Sequence, residues 1–185
     1  ERALEARELL ERLVAEGKIR TYGWSTDRAD ALRAFSGAPN CGALEQQLSV
    51  LDGNLEVLAL CDELDLASLN RGPLGMGLLT GKLGAGSRFA SDDVRSHAQW
   101  HPGFKDGKPT AEWLAKLAAI REVLASGGRT LAQGALAWLW ARSPRTVPIP
   151  GFRTVAQVEE NCRAMEFGPL TAAQMREIDR LLGRE

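Results

Sequence analysis

VPIPGFRTVAQVEEN (147–161) compresses a strand, a Pro-Gly break, an arginine and the opening of a helix into one short run. RGPLGMGLLTGKL (71–83) repeats that plan, with four glycines, a proline and a lysine directly behind the apolar run DLASLN (65–70). Backbone N–H groups bared by glycine, a cation and a fresh helix N-terminus are what a phosphate needs. Two such devices suit a ligand with two phosphate centres, such as a dinucleotide. Neither stretch matches G-x-G-x-x-G or G-x-x-x-x-G-K-[ST], so the common nucleotide fingerprints do not apply.

Outward from these stretches, helical and extended patterns alternate. Ala3, Ala6, Leu10, Leu13 and Val14 recur at helical spacing, and Gly17 stops that helix. The chain starts inside the pattern without a methionine, as a piece of a longer protein would. Strands are predicted at 19–24, 41–51 (with its exit), 65–70 and 146–149. Helices are predicted from a Ser25-Thr26-Asp27 cap to about Phe35, and over 54–64, 111–126, 131–142, 155–165 and 172–182. Residues 84–110 carry Gly, Ser, Asp, His and Pro with little periodicity. Thr130-x-x-Gln133, Thr154-x-x-Gln157 and Thr171-x-x-Gln174 read as capping boxes. Thr154 and Gln157 therefore have two readings, helix nucleation or contact with a ligand.

Alternation with short links means parallel β/α units, an α/β fold. Four such units without a switch point do not make an open doubly wound sheet. They do make half of a (β/α)8 TIM barrel, which needs roughly 250 residues and often holds phosphate after its last two strands. The two phosphate-like loops then place this chain at strands five to eight, followed by a C-terminal helix, as a single partial domain over 1–185.

Composition narrows the partners. With 185 residues, 44 % apolar, 25 % charged and a formal net charge of −1, the chain can bury a core and carries no basic face. Nucleic acid and membrane partners are not expected, and no apolar run reaches the ~18 residues of a membrane span. Cys41, Cys61 and Cys162 lack metal spacing and read as reduced, buried thiols of a cytoplasmic protein. With His97 and His101 the only histidines, no metal site is expected; both read as surface residues of the irregular stretch.

EGKIRTYGWST (16–26), RGPLGMGLLTGK (71–82), TLAQGALAWLWARSPRTVPIPG (130–151) and TVAQVEENCRAMEFGPLTAAQMREID (154–179) resemble the C-terminal half of an aldo-keto reductase. The run from Pro150 through Gly151 to Glu160-Asn161 matches the family's adenosine-end motif without a gap. The resemblance implies an NADP(H)-dependent oxidoreductase that transfers hydride to an aldehyde or ketone on a (β/α)8 barrel. The family's catalytic tetrad (Asp, Tyr, Lys, His) belongs to the first four strands, so no residue here is assigned as catalytic and the chain alone is expected to be inactive. Tyr22, the sole tyrosine, sits inside a strand and cannot be reassigned as the proton donor.

The resemblance assigns the cofactor half of the site. Ser25 falls where the family meets the nicotinamide carboxamide, with Thr26 in place of a frequent Asn. Glu45 stands where Gln is usual, and a carboxylate can accept from the amide but cannot donate to its carbonyl. Gln46 would point to the opposite face. Arg71 replaces a stacking aromatic; it can stack, pair with the pyrophosphate, or form a structural ion pair. Pro73, Leu74, Gly75, Gly77 and Leu78 resemble the pyrophosphate loop, and Lys82 reads as a loop cation or a solvated residue. Gly151 and Arg153 open the adenosine end, where a guanidinium fork suits a 2′-phosphate and favours NADP(H) over NAD(H). Gln157, Glu160 and Asn161 resemble the residues around adenine. Trp100, Phe104 and Trp113 could line a substrate mouth. Two other classes stay open: a non-catalytic nucleotide-binding module, such as a channel-type regulatory subunit, and a structural half-barrel that self-associates through open edges.

Overall fold

The computed structural model describes residues 2–98 and 100–184. The helix α1 (Arg2–Ala15) leads into β1 (Tyr22–Ser25), α2 (Ala29–Phe35), β2 (Cys41–Gln47), α3 (Leu55–Glu63) and β3 (Ala67–Arg71). A short antiparallel pair, β4 (Phe104–Lys105) and β5 (Lys108–Pro109), precedes α4 (Ala111–Leu124) and α5 (Leu131–Arg142). The strand β6 (Thr146–Pro148) and helices α6 (Val155–Phe167) and α7 (Ala172–Leu181) complete the chain. One parallel sheet orders its strands β1-β2-β3-β6, the sheet expected from the alternation. Each of its strands spans fewer residues than the predicted extended run.

Alternation along the strands sorts side chains to two faces. Tyr22, Cys41, Leu44 and Leu66 pack with Leu32, Phe35, Val57, Leu60 and Cys61 of α2 and α3. The opposite face carries the aligned row Ser25, Glu45, Leu69 and Val147, one residue per strand. Its apolar members are uncovered at the β6 edge, where Val147 is 47 % and Ile149 50 % exposed. A second core lies under the loops, where Leu78, Leu79, Trp113, Ile120, Leu124, Leu136 and Trp138 join Met175 and Ile178 of α7. Helices α4 and α5 approach closely at Gly134, where a Cβ would stand 2.0 Å from the Leu124 carbonyl oxygen.

Two of the three capping boxes are complete, at Thr130/Gln133 and Thr171/Gln174. The third is half-formed. The Thr154 hydroxyl accepts from the Gln157 N–H at 3.3 Å, but the Gln157 side-chain oxygen accepts from the Arg153 N–H at 2.6 Å. The expected Ser25-Thr26-Asp27 cap is not used. Helix α2 starts at Ala29 behind Arg28, which contributes no side-chain cap. The Asp27 carboxylate instead accepts from the Gln47 N–H at 2.6 Å and pairs with Arg71, a charge-assisted bond worth more than an exposed cap.

Burial corrects two further readings. His101 is only 2 % exposed, wedged against Trp113 and Phe104, while His97 is exposed as expected. Cys41 and Cys61 are buried, but Cys162 is exposed on α6. Burial raises the Cys41 thiol pKa and pushes Cys61 up to about 11, so both stay protonated near pH 8. A thiol titration of the native protein with an aromatic disulfide is therefore expected to modify Cys162 rapidly, and Cys41 and Cys61 only after denaturant is added. Rapid reaction of all three thiols in the native state would contradict this burial.

Candidate functional site

Strands β3 and β6 are neighbours, so the loops leaving their C-terminal ends face each other although a long segment separates them in sequence. Between the two loops lies a cleft of about 510 Å³. Seven of the residues singled out in sequence line it: Pro73, Leu74, Gly77 and Lys82 on one wall, Gly151, Arg153 and Gln157 on the other. Gly75 and Leu78 do not; both are buried behind the loop, Leu78 completely. Glu160 and Asn161 follow along α6 and do not line the cleft either, and the Glu160 carbonyl accepts from Gln133 Nε2 at 3.0 Å.

The glycine loop departs from its expected mode of action. The Gly75 N–H donates to the Gly72 carbonyl at 2.9 Å and the Gly77 N–H to the Leu74 carbonyl at 3.0 Å. These donors hold the turn and are not offered to a ligand. What the loop supplies is close approach. Met76 and Gly77 take φ values of 52° and 98°, a left-handed path in which glycine carries no Cβ penalty. A Cβ at Gly77 would come within 3.4 Å of Arg95 Nη1.

Charge in the cleft is unevenly committed. Asp93 and Arg95 form a fork-like pair, Nε–Oδ1 2.8 Å and Nη2–Oδ2 2.5 Å, with the guanidinium 4.1 Å above the Phe89 ring centroid. Hydrogen bonds from the Arg95 side chain, then from its backbone N–H, hold the Asp93 carboxyl well below the usual carboxylate range; the charge of Arg153 adds to the effect. By contrast, Arg153 and Lys82 line the cleft without an ion pair among the described residues. Lys82 is also exposed, so its two readings, loop cation and solvated residue, both describe it. Asp93 and Arg95 escaped the sequence reading because they lie in the aperiodic stretch, in a single 3₁₀ turn over Val94–Ser96.

Ser25, Thr26 and Glu45 stand at the ends of β1 and β2, away from this cleft. The Thr26 hydroxyl accepts from the Arg28 N–H at 3.2 Å, which leaves Ser25 the freer of the two. Arg71 takes up the ion-pair option, paired with Asp27 and with its Nε 3.8 Å from Glu45 Oε1. It is half-exposed, and its pairing gives a local reason for a carboxylate at 45. Gln46 points to the helix side as expected, fully buried, and donates to the Ser68 hydroxyl at 2.9 Å. The Tyr22 hydroxyl donates to Glu11 at 2.5 Å, and burial raises its pKa. A second hollow of about 350 Å³ opens beside Arg71, lined by Asp27, Gln47, Asp52 and the 100–102 segment. Among the described residues no group of three or more His, Cys, Asp or Glu is placed to hold a metal ion. No helix among them is long and apolar enough to cross a membrane.

Residues 2–182 match the model of the aldo/keto reductase family. Pyridoxal reductase of Arabidopsis thaliana is 33 % identical over 131 residues, 70 % of this chain and 33 % of that protein. The aldo-keto reductase yakc of Schizosaccharomyces pombe, whose name carries NADP(+), is 29 % identical over 91 % of this chain and 50 % of its own length. Among solved structures, the glycerol dehydrogenase of Gluconobacter oxydans superposes with a TM-score of 0.81 at 26 % identity, covering 97 % of this chain and 54 % of that one. This chain thus spans about half, or less, of each of these proteins.

Proposed function

The chain belongs to the aldo/keto reductase family, and from that premise we propose that it is the cofactor-binding half of an NADP(H)-dependent carbonyl reductase on a (β/α)8 barrel. The observation that carries this reading is the cleft between the 72–83 and 149–157 loops, lined by Arg153 without an ion pair among the described residues. A guanidinium without an ion pair among the described residues, across from a wall that includes Gly72 and Gly77, fits a phosphate monoester near a pyrophosphate. The name of the S. pombe relative supports the same cofactor.

In this reading Arg153 holds the 2′-phosphate and the Pro73–Leu74–Gly77 wall receives the pyrophosphate at short range, with Gly75 and Leu78 shaping that wall from behind. Lys82 and Arg95 add positive charge. Gly151 and Gln157 flank the adenosine, with Glu160 and Asn161 farther along α6. The nicotinamide end lies over Ser25, Thr26, Glu45 and Arg71, where the Asp27 and Glu45 carboxylates fix the guanidinium plane. The cofactor supplies the hydride. No proton donor is assigned within this chain, because the Tyr22 hydroxyl is committed as a hydrogen-bond donor to Glu11 and burial disfavours its ionisation. The proton donor then belongs to the first four β/α units, which would also cover Val147 and Ile149.

The test is a pair of assays with 4-nitrobenzaldehyde and NADPH. The intact protein containing this chain is expected to oxidise NADPH, while residues 1–185 alone are expected to show no turnover. Failure of the intact protein to bind NADPH in a fluorescence titration overturns the proposal, and turnover by the isolated chain overturns the division of labour.

A further inference from the structure

Arg184, just past α7, reaches back 134 positions to the turn that follows β2. Its Nη2 donates to the Val50 carbonyl at 2.7 Å, and its guanidinium stands 6.0 Å from the Trp138 ring centroid. The residue is exposed, yet its head group is partly buried and borders a third, smaller hollow of about 160 Å³ with Leu48, Ser49, Asp52 and Gly53. Burial lowers its pKa, as it does for any cation drawn out of water. The base of this reach is held as well. The Arg184 N–H donates to the Asp179 carbonyl at 2.9 Å, while the Asp179 carboxylate pairs with Arg142.

The turn that Arg184 grips is closed on itself. The Ser49 N–H donates to the Asp52 carbonyl at 2.7 Å, and the Ser49 hydroxyl accepts from the Leu51 and Asp52 N–H groups at 3.3 and 3.1 Å. A bridge between Leu48 and Gly53 shuts its base. Both ends then lead to Arg71. At one end the Leu48 N–H donates to the Arg71 carbonyl at 3.2 Å and holds its backbone. At the other, Asn54 Nδ2 donates to the Asp27 carbonyl at 3.3 Å, and the Asp27 carboxylate holds the Arg71 guanidinium. Among the described residues, Arg184 supplies the one side-chain hydrogen bond to this turn from outside it. It is charge-assisted, and its loss would leave the carbonyl of a fully buried valine unpaired.

We propose that Arg184 is a positioning residue for Arg71: it anchors the 48–53 turn, and the turn sets both the backbone and the guanidinium of Arg71. That the nicotinamide end benefits rests on the reductase reading; the mechanical link does not. Arg184 touches neither the cofactor cleft nor the hollow beside Arg71, so its effect on the reaction passes through the turn alone.

Arg184→Ala in the intact protein, a change at an exposed side chain, tests the link. Hydrogen exchange at the Gln47 and Leu48 N–H groups, which bond to Asp27 and Arg71, is expected to quicken about tenfold while the amides of α5 keep their rates. With NADPH and 4-nitrobenzaldehyde, kcat is expected to fall about tenfold, the effect of a small misplacement at the reacting end. NADPH affinity, which the phosphate contacts dominate, is expected to stay unchanged. Millimolar guanidinium chloride is expected to enter the vacated space and restore most of kcat, whereas sodium chloride at equal ionic strength is not. A variant that is merely destabilised would not be rescued, because guanidinium weakens folded proteins. Arg184→Lys is expected to fall between the two, keeping a point charge without the planar fork. Unchanged exchange at Gln47 and Leu48, an unchanged kcat, or a loss of kcat that guanidinium does not restore overturns the proposal. Faster exchange, reversed by guanidinium, in a protein that reduces no aldehyde upholds the link and sinks the reductase reading. Ordinary turnover by the unmodified protein, with exchange and kcat both unmoved in the variant, does the reverse.

Discussion

Arg153→Ala in the intact protein is expected to weaken NADPH binding roughly ten- to hundredfold and to leave NADH almost unchanged, because only NADPH carries the 2′-phosphate. A charge-assisted, two-pronged contact is worth roughly 1.5–3 kcal/mol, which sets that range. The magnitude depends on Arg153 having no ion pair among the described residues; Asp93, whose carboxyl the Arg153 charge helps to lower, is already held by Arg95. Its backbone is fixed independently by the Gln157 side chain, so the substitution removes the guanidinium without loosening the loop. Arg153→Lys should recover part of the loss, since a point charge remains but the planar fork is gone. Parallel fluorescence titrations with the two cofactors decide the matter. Equal losses for NADH and NADPH would refute the phosphate role and leave the family membership standing.

Gly134→Ala should cost the intact protein about 3 kcal/mol or more, a large fraction of ordinary domain stability. Helix propensity alone argues the other way, because alanine in an α-helix is favoured over glycine by about 1 kcal/mol. Geometry overrides it. The new methyl would lie 2.0 Å from the Leu124 carbonyl oxygen and 2.6 Å from the carbonyl carbon. Both are backbone atoms at the end of α4, so no rotamer change relieves the clash and two buried helices must separate. Separation would disturb Trp138, Leu136 and Ile120 in the same core. A urea unfolding midpoint at or above that of the unmodified protein would show that α4 can yield at no cost.

Most of the scaffold was legible because its signals are local. Apolar spacing and turn residues located all four strands of the parallel sheet, and Thr-x-x-Gln located two complete caps. The failures come from competing partners, some distant in sequence and some within the same turn. Asp27 reads as part of a cap because nothing nearby advertises Arg71 and Gln47, which only strand pairing brings to it. Gln157 reads as a capping residue or a ligand contact, yet its oxygen is taken by Arg153 one step before the helix. The glycine loop reads as a set of free N–H donors, because sequence shows permissive backbone but not the turns that consume Gly75 and Gly77. His101 and the Asp93–Arg95 pair lie where periodicity is absent, and only tertiary packing on Phe104, Trp113 and Phe89 distinguishes them.

The placement of β6 against β3 also dictates an order of events in time. β1, β2 and β3 join through short links, so their pairing is fast and local. β6 can add its register, Ser68 with Thr146 and Leu69 with Val147, only after the whole 72–145 segment has looped out and returned. Closing so long a loop is entropically expensive and slow relative to neighbouring pairings. The two walls of the cleft sit on either side of that closure, so a chain without the β3–β6 pairing has one wall and no cleft. A ligand that bridges both walls therefore stabilises the final step alone, and acts on the lifetime of the folded state more than on the speed of reaching it.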